Sequence, residues 1–203
     1  MTKHLPYFYI GDSYGGNQDW FHNLVMHMGG CAAATACDSC IYFQKNGMID
    51  GVYPFDVNHL NQKDYEAFAM KMKPFLRPRV GGVSRLELYI DGFASYLKSS
   101  HGSREIEMYP FGGDQSFDSA KQFVRDQIDK GYPVPYLMLK HKSEKLKDFV
   151  WHWFLLTGYE DLEDDIIVTT ATYGENLTFS LREMWHTGFE QKGGMIQYNI
   201  HSL

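Results

Sequence analysis

The chain has 203 residues, 44% hydrophobic and 22% charged, with a formal net charge of −6 and no long run of either sign. That length suits one domain whose core buries roughly 70% of the unfolded chain's surface. The acidic balance argues against a nucleic-acid partner, whose binders carry a basic patch, and no apolar run approaches the ~20 residues of a membrane span.

The segment from Met1 to Ser13 has neither a signal-peptide apolar region nor a small-residue cleavage site, so a cytoplasmic location is expected. Residues 7–17 contain Gly11, Gly15 and Gly16 and read as strand and loop. Gly29 and Gly30 break the chain before Cys31-Ala-Ala-Ala-Thr-Ala-Cys37, a small-residue helix starting at or near Cys31. Tyr65, Phe68, Ala69, Met72, Phe75 and Leu76 have helical spacing within residues 58–76. Leu86, Ile90, Phe93 and Leu97 repeat it, and Gly81-Gly82 turns the chain between the two. Ile106 and Met108 alternate with charges as a short strand. A third helix over 116–130 turns Phe117, Ala120, Val124 and Ile128 inward, closed by Gly131 and stopped by Pro133.

Beyond that point the pattern changes to strands, at 134–139, 149–157, 165–172 and 194–200. A short helix capped by Ser180 interrupts them. The chain is thus helix-rich over 1–131 and sheet-rich over 132–203, an α+β class without βαβ alternation. The stretch from Lys140 to Lys147 reads as a solvated, charge-rich loop bordering the His152 strand.

Cys31 stands out chemically. A thiol in the first helical turn meets the positive end of the dipole and backbone N–H groups that have no helical partner, a setting that lowers a thiol pKa. The same N–H groups can bind an oxyanion. The competing reading is a small residue buried where the chain packs tightly. His152 sits in an aromatic strand, on the face opposite Trp151 and Trp153. A lone strand histidine is commonly structural, yet a buried imidazole needs a partner, and a thiol would serve. Gln18, with Asn17 as fallback, offers a side-chain amide for the oxyanion, against the ordinary reading of a solvated loop amide. The three cysteines, Cys31, Cys37 and Cys40, form no disulfide framework and suit a reducing compartment. Cys37 and Cys40 supply only two ligands and lie late in the helix, so they are read as packing residues, with no metal and no cofactor expected.

Taken together, Asn17-Gln18, Gly30-Cys31-Ala32-Ala33-Ala34, Gly131-Tyr-Pro-Val134, His152-Trp-Phe-Leu-Leu-Thr-Gly158-Tyr159 and Ala171-Thr-Tyr-Gly174 resemble papain-like cysteine peptidases. The branch most similar is the double-glycine leader peptidases of bacteriocin export. The resemblance runs from residue 15 to about residue 190. It implies one papain-like domain over 1–203, with a helical lobe packed on an antiparallel sheet and a Cys31–His152 pair hydrolysing a peptide or acyl substrate through a thioester. A biosynthetic acyltransferase and a catalytically weak binding module remain alternatives. Three positions depart from the pattern. Ala32 replaces the usual glycine, and the gap from Gln18 to Cys31 is long, which brings Asn23 into play. The residue that should orient the histidine, usually Asn or Asp, falls on Thr172, with Thr170 as alternative.

Overall fold

The computed structural model describes residues 1–79 and 81–201. Nine strands and six helices are present among them: β1 (Thr2–His4), β2 (Tyr9–Ile10), β3 (Ser13–Tyr14), α1 (Leu24–Gly29), α2 (Cys31–Lys45), α3 (Gln62–Met72), α4 (Leu86–Ser100), β4 (Glu105–Gly112), α5 (Phe117–Asp129), β5 (Val134–Met138), β6 (His152–Asp161), β7 (Ile166–Thr172), β8 (Glu175–Ser180), α6 (Leu181–Trp185) and β9 (Gly194–His201). Two 3-10 turns, at Gln18–Trp20 and Glu144–Phe149, complete the chain.

Seven strands make one antiparallel sheet, in the order β4-β9-β5-β6-β7-β8, with β1 also pairing β6. β5 pairs His152–Leu156 and β1 pairs Gly158–Glu160, so β1 continues the row that β5 begins. β2 and β3 form a separate small hairpin. The architecture is α+β. Within the helix-rich half the short strand expected at Ile106 and Met108 is β4, which pairs with the C-terminal β9 over its whole length, and β1 is an addition.

α2 is the central helix. Twelve of its fifteen residues are buried, on every side, so no solvent stripe exists. A helix enclosed all round needs small side chains where backbones come close, which is the physical reason for Ala32, Ala33 and Ala36. It packs against β6 and α3. Aromatic rings fill the space around it. Trp153 stacks on Tyr89 at 4.5 Å between centroids, and Phe43 meets Tyr198 edge-on at 5.1 Å. Their polar tips are satisfied as buried groups require: Trp153 Nε1 donates to the Val83 carbonyl, and the Tyr198 hydroxyl donates to Ser39 Oγ.

Caps set several helix starts. Ser180 caps α6 as expected, and Ser116 caps α5. Asn61 caps α3, which is shorter than the span of apolar periodicity around it. The strand that carries His152 starts three residues later than its aromatic run. Glu144–Phe149 is a 3-10 turn, and Trp151 has φ of 54°, which places it outside the extended ladder. No described helix is long and apolar enough to cross a membrane.

Candidate active site

Cys31 is the first residue of α2, and the N-cap Gly30 contributes no side-chain cap. The first-turn N–H groups are therefore free for other work. The backbone N–H groups of Trp153, Ala32 and Cys31 itself face the sulfur and favour the thiolate. Burial outweighs them: the side chain is almost enclosed, and desolvation pushes the Cys31 thiol above its ordinary value. The lowered pKa expected from the helix start is thus corrected, because a charge in this enclosed position loses more hydration than three N–H groups return.

His152 opens β6, and Thr172 closes the neighbouring β7. Antiparallel pairing of β6 with β7 brings the two ends together. Nε2 of His152 lies 2.7 Å from Thr172 Oγ1. Thr170 is engaged elsewhere, donating to the Leu177 carbonyl. The imidazole also stacks flat on Tyr173, with centroids 4.7 Å apart and planes within 1°. Burial lowers the His152 pKa to about 4, so the ring is neutral at physiological pH.

The stacking depends on a tight turn. Tyr173 and Gly174 are the two residues between β7 and β8, with φ of 50° and 76°. Two positive φ values in a two-residue loop make a type I′ hairpin, which normally takes Asn or Gly at its first position. A tyrosine there is strained, and the ring it places against His152 is the visible return for that strain. Tyr14 N–H donates to the Gly174 carbonyl, which ties the β2–β3 hairpin to this turn.

Cys31, His152, Gln18 and Tyr173 line one cleft of about 460 Å³, together with Met28, Gly29, Arg79, Gly81, Gly82, Val150 and Trp151. Beneath it lies a cavity of about 20 Å³ that Cys31, His152, Gln18, Thr172 and Asp38 share. Among the described residues no hydrogen bond joins the Cys31 sulfur to the His152 ring, and Nδ1 has no partner. Gln18 Nε2 donates to the His27 carbonyl at 2.7 Å, which occupies one of its two amide hydrogens, and its Oε1 is buried without a partner. The neighbouring amides have local duties. Asn17 caps the 3-10 turn, and Asn23 caps α1 and accepts from Lys73.

No family model, curated protein or solved structure matches this chain. A thiol, a neutral imidazole and first-turn N–H groups meet at one cleft, and a hydroxyl contacts the imidazole from the adjoining small cavity. That set suits attack on an electrophilic carbon with proton transfer.

Three contributors escaped sequence reasoning. Tyr173 falls within the Ala171-Thr-Tyr-Gly174 segment with no role of its own expected. Its Tyr-Gly turn between a β-branched run and a polar strand was the available signal. The Trp153 N–H carries no side-chain signature at all. Asp38 is hidden within an apolar helix, although its place seven residues after Cys31 puts both on one helix face. Cys37 and Cys40 are free and fully buried, in keeping with packing. Among the described residues no group of three His, Cys, Asp or Glu side chains is arranged to hold a metal.

Proposed function

We propose that this chain is a papain-like cysteine enzyme, acting on a peptide or acyl substrate. The observation that carries the reading is the 2.7 Å contact of His152 Nε2 with Thr172 Oγ1, with His152 and Cys31 lining one cleft. With Nε2–H donating to Thr172, Nδ1 keeps its lone pair and is the ring's basic atom.

In this reading the resting pair is neutral: a protonated thiol and an unprotonated imidazole. As the sulfur bonds to the carbonyl carbon, its proton passes to Nδ1, and the carbonyl π electrons move onto oxygen. The first-turn N–H groups of α2 and the second amide hydrogen of Gln18 are the donors available to that oxyanion. Collapse expels the leaving amine, which takes the proton from His152. Water then adds to the thioester, giving a proton to Nδ1, and collapse releases the acid and a thiolate that takes that proton back, restoring the neutral pair. The three free cysteines support a reducing, cytoplasmic setting.

A second reading has its own support. Both reacting groups are buried and uncharged, and Thr172 brings no charge to stabilise an imidazolium, as a papain-like binding module would allow. p-Nitrophenyl acetate separates the two. On the enzyme reading, mass spectrometry finds an acetyl group on Cys31 in the wild type. The rate falls by about a hundredfold in His152→Ala, the usual loss for a general base. Equal, slow acetylation of both proteins would leave only the binding module.

A further inference from the structure

Asp38 is a carboxylate enclosed among aromatic rings, two helical turns after Cys31 on α2. A buried charge needs compensating donors. Three are present, and none is a cation. Tyr7 donates to Oδ2 at 2.7 Å, and Tyr65 donates to Oδ1 at 2.8 Å. The Gly16 N–H reaches both oxygens, at 3.1 and 3.2 Å. Gly15 and Gly16 permit this approach. A Cβ on Gly15 would lie 2.5 Å from Asp38 Oδ2, and one on Gly16 would lie 1.8 Å from the Tyr65 ring. Gln18 follows two residues later. It and Asp38 line the same small cavity as Cys31 and His152.

We propose that Asp38 is a positioning residue of this site: its carboxylate clamps the Gly15–Gly16 loop and thereby holds the Gln18 amide beside Cys31. The catalytic consequence rests on the acyl-transfer reading; the clamp itself does not.

The clamp is also pH-sensitive. Burial pushes Asp38 up to about 6, against the lowering effect of Tyr7, Tyr65 and Gly16. The groups around it are Tyr7 from the N-terminal segment, Tyr65 from α3 and Cys37 beside it on α2, with Cys31 and His152 across the cavity. Tyr7, Tyr65, Cys31 and Cys37 are all pushed upward and stay protonated, while His152 titrates lower, at about 4. The Gly16 N–H favours the carboxylate, so a protonated Asp38 holds it less tightly, and the loop loosens while the acid itself stays enclosed between Tyr7 and Tyr65.

Hydrogen exchange at the Gly16 amide, corrected for intrinsic rate, tests the clamp without any substrate. Protection at pH 7 is expected, with exchange about tenfold to a hundredfold faster in Asp38→Asn, the range for losing a hydrogen bond to a charged group. In the wild type the loosening should have a midpoint near the Asp38 pKa. Tyr65→Phe, a milder change that removes one donor, should move that midpoint upward. Unchanged Gly16 protection in both variants overturns the clamp.

Two reagents then test its role at Cys31. The tripeptide aldehyde acetyl-leucyl-leucyl-norleucinal forms a tetrahedral adduct that needs oxyanion donors, whereas iodoacetamide does not. Asp38→Asn should weaken the aldehyde adduct at least about tenfold, a modest part of what a lost oxyanion donor costs, with the iodoacetamide rate nearly unchanged. A loosened loop with undiminished aldehyde affinity overturns the positioning role. If neither reagent modifies wild-type Cys31, the nucleophile reading fails and the catalytic consequence falls with it, while the exchange result still decides the clamp.

Discussion

At the scale of single residues, one hydroxyl and one thiol matter most. In the proposed papain-like reading Thr172 stands where an amide or carboxylate would orient the histidine, and it meets Nε2 at 2.7 Å. One neutral hydrogen bond is worth about 0.5–1.5 kcal/mol, so Thr172→Ala should slow acylation of Cys31 by roughly threefold to tenfold. Thr172→Asn should match or exceed the wild type, and Thr170→Ala should leave the rate alone, since Thr170 bonds to Leu177. A slow Thr170→Ala beside a normal Thr172→Ala would reverse that assignment. The thiol makes a separate prediction. Burial pushes Cys31 up, so its labelling by iodoacetamide should rise with a midpoint above the ~8.5 of a free thiol. His152→Ala should leave that midpoint in place, because a neutral ring adds no charge. A fast, flat profile down to pH 5 would mean a preformed thiolate instead. The candidate residues themselves were legible, because a helix start after Gly29-Gly30 and an imidazole in an apolar strand are strong local signals. The direction of the thiol's shift was not, because it depends on how completely other elements enclose it.

At the scale of elements, the β7–β8 hairpin is the critical part. Its Tyr173-Gly174 turn holds a tyrosine at positive φ to stack it on His152. Tyr173→Asn relieves a strain of about 1–2 kcal/mol and forfeits a stacking contact worth about 0.5–1.5 kcal/mol. Urea unfolding should therefore change by no more than about 1 kcal/mol, while Cys31 acylation slows; a large loss of stability would mean that Tyr173 is there for packing. The sequence made most long elements plain. Helical spacing marked α4 and α5, and the β-branched run marked β7. It missed β8, whose residues are polar and half-exposed along a sheet edge, and so lack strand periodicity. It missed α1, which turns Leu24, Val25 and Met28 to solvent and buries only Met26, the reverse of the usual pattern. The pairing of β4 with β9 and of β1 with β6 joins residues more than eighty positions apart, which no local pattern can announce.

At the scale of the whole molecule, two buried groups in one cavity oppose each other. The His152 pKa is lowered from 6.5 to about 4, so the unfolded chain binds that proton more readily and stability falls as pH drops through this window. The Asp38 pKa is raised from 3.8 to about 6, so the folded chain binds its proton more readily and stability rises over nearly the same window. Each shift corresponds to about 3 kcal/mol, and the signs cancel. Asp38→Asn should therefore lose about 3 kcal/mol relative to the wild type between pH 7 and pH 4, and His152→Gln should gain about as much, measured by urea unfolding. Parallel pH curves for all three proteins would contradict this picture. Whether Cys31 and His152 work as a pair is decided by one distance. In a crystal structure of the protein reacted with the tripeptide aldehyde, a bond should join Cys31 Sγ to the aldehyde carbon, with His152 Nδ1 within about 4 Å of the sulfur. An unreacted sulfur more than about 7 Å from the ring, two residue lengths away, would show that the pair does not exist.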